Sequence, residues 1–128
     1  MVENNKASDA HGASETPGGE IGDTVLIYAT CPTVAEAERI GCALVDRELV
    51  ACANILPGMT SIYVWQGKRH QDSEAVLILK TRAALADRVV NEAKALHPYD
   101  NPALVVLPVA GGSADFLAWV QAQTSNPR

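Results

Sequence analysis

The sequence predicts an α+β domain with the element order β-α-β-β-α-β and an added C-terminal helix. Three observations predict it. Short apolar runs rich in β-branched and aromatic residues mark four strands. Two stretches of helical periodicity separate the first strand from the second and the third from the fourth. Proline falls in the second strand (Pro57) and the fourth (Pro108), while the first and third strands lack it and are nearly continuous in apolar residues. Proline cannot donate to a ladder, so it belongs at sheet edges or bulges, and apolar strands without it belong in the middle. Edge strands two and four around central strands one and three are the arrangement of the split βαβ, or ferredoxin-like, sandwich.

Residues 1–22 are rich in Gly, Ser, Glu, Asp, Asn and Ala, with Val2 and Ile21 as the only large apolar side chains after Met1. Such a stretch buries too little apolar surface to offset its ordering entropy, so a disordered tail is expected, followed by one domain over 23–128. The first strand is "TVLIYAT" (24–30), stopped by Pro32. Thr33 then stands three residues before Glu36, a capping-box spacing. The helix that follows carries Val34, Ala37, Ile40, Gly41, Leu44 and Val45 on one face. "VACANILPGMTSIYVWQ" reads as an extended second strand broken at Pro57-Gly58, "GKRHQD" as a polar hairpin loop, and "SEAVLILKT" as the returning third strand. "ALADRVVNEAKAL" is amphipathic through Leu85, Val89, Val90, Ala93 and Leu96. "ALVVLPV" is the fourth strand. After Gly111-Gly112, Ser113 opens a last helix with Phe116, Leu117, Trp119 and Val120.

Composition excludes several function classes. The net charge is −5; the tail holds four acids against Lys6, which leaves −2 for the domain and no basic stripe for nucleic acid. No apolar run approaches the roughly 20 residues that span a bilayer, and the tail lacks the apolar core of a secretory signal. Cys31, Cys42 and Cys52 contain no C-x-x-C pair, so neither a zinc knuckle nor a redox motif is indicated, and reduced thiols in the cytoplasm are expected.

One feature does not suit a solitary domain. In this fold both crossover helices lie on one face of the sheet, so the other face should alternate polar residues. Instead Ala75, Leu77 and Leu79 oppose Val76 and Ile78, Leu104 and Val106 oppose Val105 and Leu107, and Tyr63 and Trp65 oppose Ile62 and Val64. An apolar face of that extent marks an interaction surface, so copies of the chain are expected to pack their sheets together.

The segments "LVACANILPGMTSIYVWQGKRHQDSEAVLILKT" (49–81), "HPYDNPALVVLPV" (97–109) and "DFLAWV" (115–120) resemble the CutA family of divalent-cation tolerance proteins. The resemblance runs from about Thr24 to Gln123. It implies a ferredoxin-like homotrimer similar in architecture to the PII signalling proteins, a role in tolerance to copper or another divalent metal, and no established enzymatic activity.

Two residues are then candidate metal ligands. His97 precedes Pro98, so the second helix should end there, where unpaired carbonyls favour a cation. Pro98 and Pro102 stiffen its loop, and imidazole suits copper, zinc or nickel. The alternative is a histidine that ends a helix and bonds a carbonyl. Some relatives carry two adjacent histidines where this chain has Leu96-His97. Cys31 is the second candidate, because thiolate selects Cu(I). The cysteine of some relatives corresponds here to Ala29, and Cys31 lies two positions on, on the same strand face; a small buried hydrophobe is the alternative.

Trp65, Glu74, Lys80, Tyr99 and Trp119 also match family positions and could line a cleft between subunits, as in a PII-like trimer holding a small anionic molecule. Glu74 and Lys80 share strand parity; their alternative is a surface ion pair. Cys42 and Cys52 read as packing residues, Asp72 and Asp100 as solvated loop carboxylates, and His70 as exposed. Cys31, His97 and Asp100 supply the residue types of a thiol nucleophile, but no local signature, Walker-type loop or G-x-G-x-x-G accompanies them. A non-catalytic protein is expected, with itself and a metal ion or small molecule as partners and neither nucleic acid nor membrane.

Overall fold

The structure, a computed structural model, describes residues 23–128; the expected tail lies outside them. The strands β1 (Thr24–Cys31), β2 (Cys52–Trp65), β3 (Lys68–Arg82) and β4 (Leu104–Pro108) form one sheet in the order β2-β3-β1-β4, every neighbouring pair antiparallel. Pro57 and Pro108 thus sit on the two edge strands, where a missing N–H costs no ladder bond. The helices are α1 (Val34–Asp46), α2 (Ala86–Leu96), entered through a 3-10 turn at Ala83–Leu85, and α3 (Ala114–Gln123).

The core lies between one sheet face and the helices α1 and α2. Val25, Ile27, Ala29 and Cys31 from β1 and Ala75, Leu77 and Leu79 from β3 meet Ala37, Ile40 and Leu44 of α1 and Ala86, Val89 and Ala93 of α2. Val34 and Val45, expected on the buried face of α1, are exposed. At Gly41 the helix comes so close to β2 that a Cβ would stand 3.0 Å from the Ala53 Cβ.

Local chemistry sets the ends of α1. Thr33 accepts the Glu36 N–H at 3.1 Å. The reciprocal half of the capping box is absent, because the Glu36 carboxylate binds Arg39 instead, at 2.7 Å. At the other end the Leu49 N–H donates to the Leu44 carbonyl and the Glu48 N–H to that of Val45, a Schellman motif. Glu48 occupies its left-handed position with φ 58°, where glycine carries no Cβ penalty. Leu44 and Leu49 are both fully buried, which supplies the motif's apolar contact.

The hairpin differs from expectation. Its loop is only Gln66-Gly67, both at positive φ (52° and 77°), the two-residue primed turn that matches strand twist. Lys68, Arg69, His70, Gln71 and Asp72 belong to β3 and pair with β2 as far as Trp65↔Lys68. The ladder breaks once, between Leu56 and Met59, where Pro57-Gly58 on β2 oppose Ala75 alone. Gly58, at φ 76°, allows this bulge.

The described residues cover the second face of the sheet only in part. Helix α3 lies at one end: Arg82 donates to the Gln121 carbonyl (2.7 Å) and Gln121 to the Asp23 carbonyl and Thr24 hydroxyl. Beyond it Leu56, Val105 and Leu107 remain 55%, 49% and 45% exposed, and the hairpin tip carries exposed Ile62, Tyr63, Val64 and Trp65.

Two stability predictions follow from these contacts. Thr81 is fully buried and its hydroxyl donates to the Leu49 carbonyl at 2.6 Å. Thr81→Val keeps the volume and removes that donor, so it is expected to lower unfolding stability by about 1–3 kcal/mol. Glu48→Gly relieves the left-handed strain at the cost of an exposed ion pair to Arg128, and a gain of about 0.5–1 kcal/mol is expected. Denaturant titration checks both.

Candidate functional site

Pro98 bars its predecessor from helical geometry, and His97 accordingly caps α2 in an extended conformation at φ −77°, ψ 141°. This swings the imidazole inward against the end of β1, where it is 8% exposed. Its Nε2 lies 2.8 Å from the Thr30 carbonyl, and the Tyr99 backbone N–H donates to its Nδ1 at 3.1 Å. A carbonyl only accepts and an amide only donates. The ring is therefore the neutral tautomer with its proton on Nε2, and both nitrogens are taken by backbone. The expected attraction of the helix end for a cation is also met internally: the Arg39 guanidinium donates to the Leu96 carbonyl while holding Glu36. His97 thus has the geometry of the helix-ending, carbonyl-bonding alternative.

Cys31 faces the core among the side chains packed under α1 and α2. Burial pushes its thiol up to about 11, with the charges of Glu36 and Glu74 adding to the effect and Arg39 opposing it. A thiol held protonated is a poor ligand and a poor nucleophile. With both His97 nitrogens engaged elsewhere, the ring does not act as base to Cys31, and the triad of types noted with Asp100 is not assembled. Among the described residues no three of His, Cys, Asp and Glu converge on a point that could hold a metal ion.

The five cleft residues separate into three places on the second face. At the first, Tyr99 donates from its hydroxyl to Glu74 Oε2 at 2.9 Å. Burial pushes this phenol up to about 12, and the hydrogen bond and charge of Glu74 add to it. Beside it Tyr63 donates to Asp72 Oδ2 at 2.5 Å and stacks on His70 with ring centroids 5.3 Å apart; the Asp72 bond raises the Tyr63 phenol. The Tyr28 hydroxyl lies 3.5 Å from the Met59 sulfur in the same region. At the second place the Lys80 ammonium stands 5.3 Å from the Phe116 ring, which itself lies 5.7 Å from Trp119. Glu74 and Lys80 stand six positions apart along β3, about 20 Å at the usual rise, so within one chain they form no ion pair. Trp65 is the third place, exposed at the hairpin tip and paired with Lys68.

Several readings of the sequence are corrected here. Asp72 is a strand residue bonded to Tyr63, and His70 is half-buried against the same ring. Cys42 is exposed on α1. Phe116 is the partner of Lys80 and Arg39 the cation at the end of α2, and neither is among the candidate site residues read from the sequence. The Tyr63–Asp72 contact was legible in principle. Once the turn is placed at Gln66-Gly67, the register puts these two diagonally across one face.

The CutA1 divalent ion tolerance protein family matches residues 25–123. The chain is 41% identical over 100 residues to the divalent-cation tolerance protein CutA of Pectobacterium atrosepticum, covering 78% of this chain and 91% of that one. It is 38% identical over 101 residues to the chloroplastic CutA 1 of Oryza sativa, covering 79% of this chain. It spans only 57% of the length of that relative and of its Arabidopsis thaliana counterpart. Among solved structures, CutA1 of Ehrlichia chaffeensis superimposes with a TM-score of 0.77 at 38% identity, covering 80% of this chain and 96% of that one. A CutA of Archaeoglobus fulgidus, described as periplasmic, gives 0.76 at 37%, covering 79% and 98%. Relatives thus occupy more than one compartment, and the expectation of a cytoplasmic protein does not come from kinship. The close superpositions, the match over nearly the whole domain and these identities agree: the chain belongs to the CutA1 divalent ion tolerance protein family.

Proposed function

We propose that the chain serves in tolerance to divalent cations as a non-catalytic homotrimer that holds its ion weakly, copper ahead of the others. Family membership supports the role in tolerance. The observation that carries the weakness is the state of the donors. No three of them converge within the described residues of one chain, and the best of them, His97, is already bonded at both nitrogens. An ion reaching the ring displaces either the Tyr99 amide or the Thr30 carbonyl. Leaving one such group unpaired costs about 1–3 kcal/mol, roughly a 5- to 150-fold loss of affinity. Copper leads because Cu(II) outranks its neighbours at almost any nitrogen, oxygen or sulfur site. A carboxylate or water, together with donors from a neighbouring copy, completes the sphere. Cys31 contributes only after losing its proton and leaving the core.

The uncovered sheet face supports assembly. Leu56, Val105 and Leu107 are each about half exposed, and covering them returns about 1 kcal/mol per side chain. The number three follows the family.

Sedimentation at micromolar concentration is expected to give three times the 13.6 kDa chain mass, and Leu107→Glu, which places a charge on that face, is expected to shift the population toward monomer. A wild-type monomer would defeat the assembly reading. Calorimetric titration of Cu(II) and Cu(I) is expected to show weak binding that drops further in His97→Ala; equal affinity in the two proteins removes His97 from the site.

A further inference from the structure

Three groups tie the loop between α2 and β4 to two different strands. His97 bonds the Thr30 carbonyl at the end of β1 and accepts the Tyr99 N–H on its other nitrogen, with the two rings 4.9 Å apart. Tyr99 then crosses to β3 and donates to Glu74 at 2.9 Å. The His97 end is buried, whereas the Tyr99–Glu74 end is exposed. Pro98 and Pro102 bracket the segment and restrict its backbone. A lone phenol–carboxylate bond at a surface competes with water and gives up side-chain freedom to form. Here the freedom is already restricted, because the residue's own amide is pinned to a buried imidazole and its ring packs against that imidazole.

We propose that His97, Tyr99 and Glu74 form a latch in which His97 positions Tyr99 and Tyr99 withholds the Glu74 carboxylate from solution. Release at the buried end frees the carboxylate at the exposed end, and an occupant that takes the carboxylate from Tyr99 loosens the loop in return, since coupling of this kind is reciprocal. The latch does not rest on the cation reading.

Carbodiimide-driven amidation of the full chain, read residue by residue by mass spectrometry, tests it. Asp72, held by Tyr63 and untouched by Tyr99 or His97 in hydrogen bonding, is the internal control. Tyr99→Phe keeps the ring and removes the donor, so the Glu74 rate is expected to rise about 2- to 10-fold, the ratio set by one hydrogen bond of ordinary net strength. His97→Ala is expected to raise the Glu74 rate as well, although His97 does not touch Glu74, with Asp72 unchanged in both. A wild-type Glu74 rate in Tyr99→Phe overturns the latch. So does a rise in Tyr99→Phe without one in His97→Ala, because His97 is then not the positioning residue. An equal rise at Asp72 also overturns it, since it marks general loosening of the hairpin.

Discussion

A sheet that is apolar on both faces but carries both crossover helices on one of them constrains everything else in this molecule. The central strands leave no alternative. Ile27, Ala29, Leu77 and Leu79 turn to the helices while Leu26, Tyr28, Val76 and Ile78 turn away. Among the described residues only α3 is available to the second group, and it is anchored at one end of the face through Arg82, Gln121 and Thr124. What it leaves bare is continuous with the hairpin and with β4. Glu74 and Tyr99 lie along this same face, so a site built there is a site at the edge of whatever covers the sheet.

The position of that edge depends on one extra residue. Before the bulge, Ala53 and Ile55 share the helix-facing side with their partners Leu79 and Leu77. After it, Met59, Tyr63 and Trp65 share the opposite side with Glu74, His70 and Lys68. All five β2 residues are odd-numbered, and without the inserted residue strict alternation would put them on one face. Pro57-Gly58 therefore performs two tasks. It ends the part of β2 that packs under α1, and it delivers Tyr63 to Asp72 and Met59 to Tyr28 on the uncovered face.

The architecture was legible because its signals were local. Two prolines named the edge strands, Thr33 opened α1, and Pro98 ended α2 at His97, each through a steric or capping rule that needs only a few neighbours. The hairpin was misread for an equally physical reason. Of Lys68 to Asp72 all but His70 are exposed, and without burial there is no apolar alternation to announce a strand. The turn residues Gln66-Gly67 were the only available sign. The site was less legible still. Glu74, Tyr99 and Lys80 are legible as candidates, but their pairings are not, because Tyr99–Glu74 and Lys80–Phe116 are contacts between residues 25 and 36 positions apart.

His97 shows how much residue type alone leaves undetermined. An imidazole beside a helix end and between prolines has every attribute of a metal ligand in sequence. In the fold, a carbonyl 67 residues away takes one nitrogen and an amide two residues away takes the other. The helix end that should attract a cation has a guanidinium from α1 already in place. Pro98, which in sequence presents the ring to a ligand, instead turns it inward. The rigidity of the two prolines is used to place Tyr99, whose phenol is the outward-facing part of the arrangement. A cation that contacts this corner meets Glu74 and the phenol first, and gains the imidazole only by undoing the bonds that hold the phenol there.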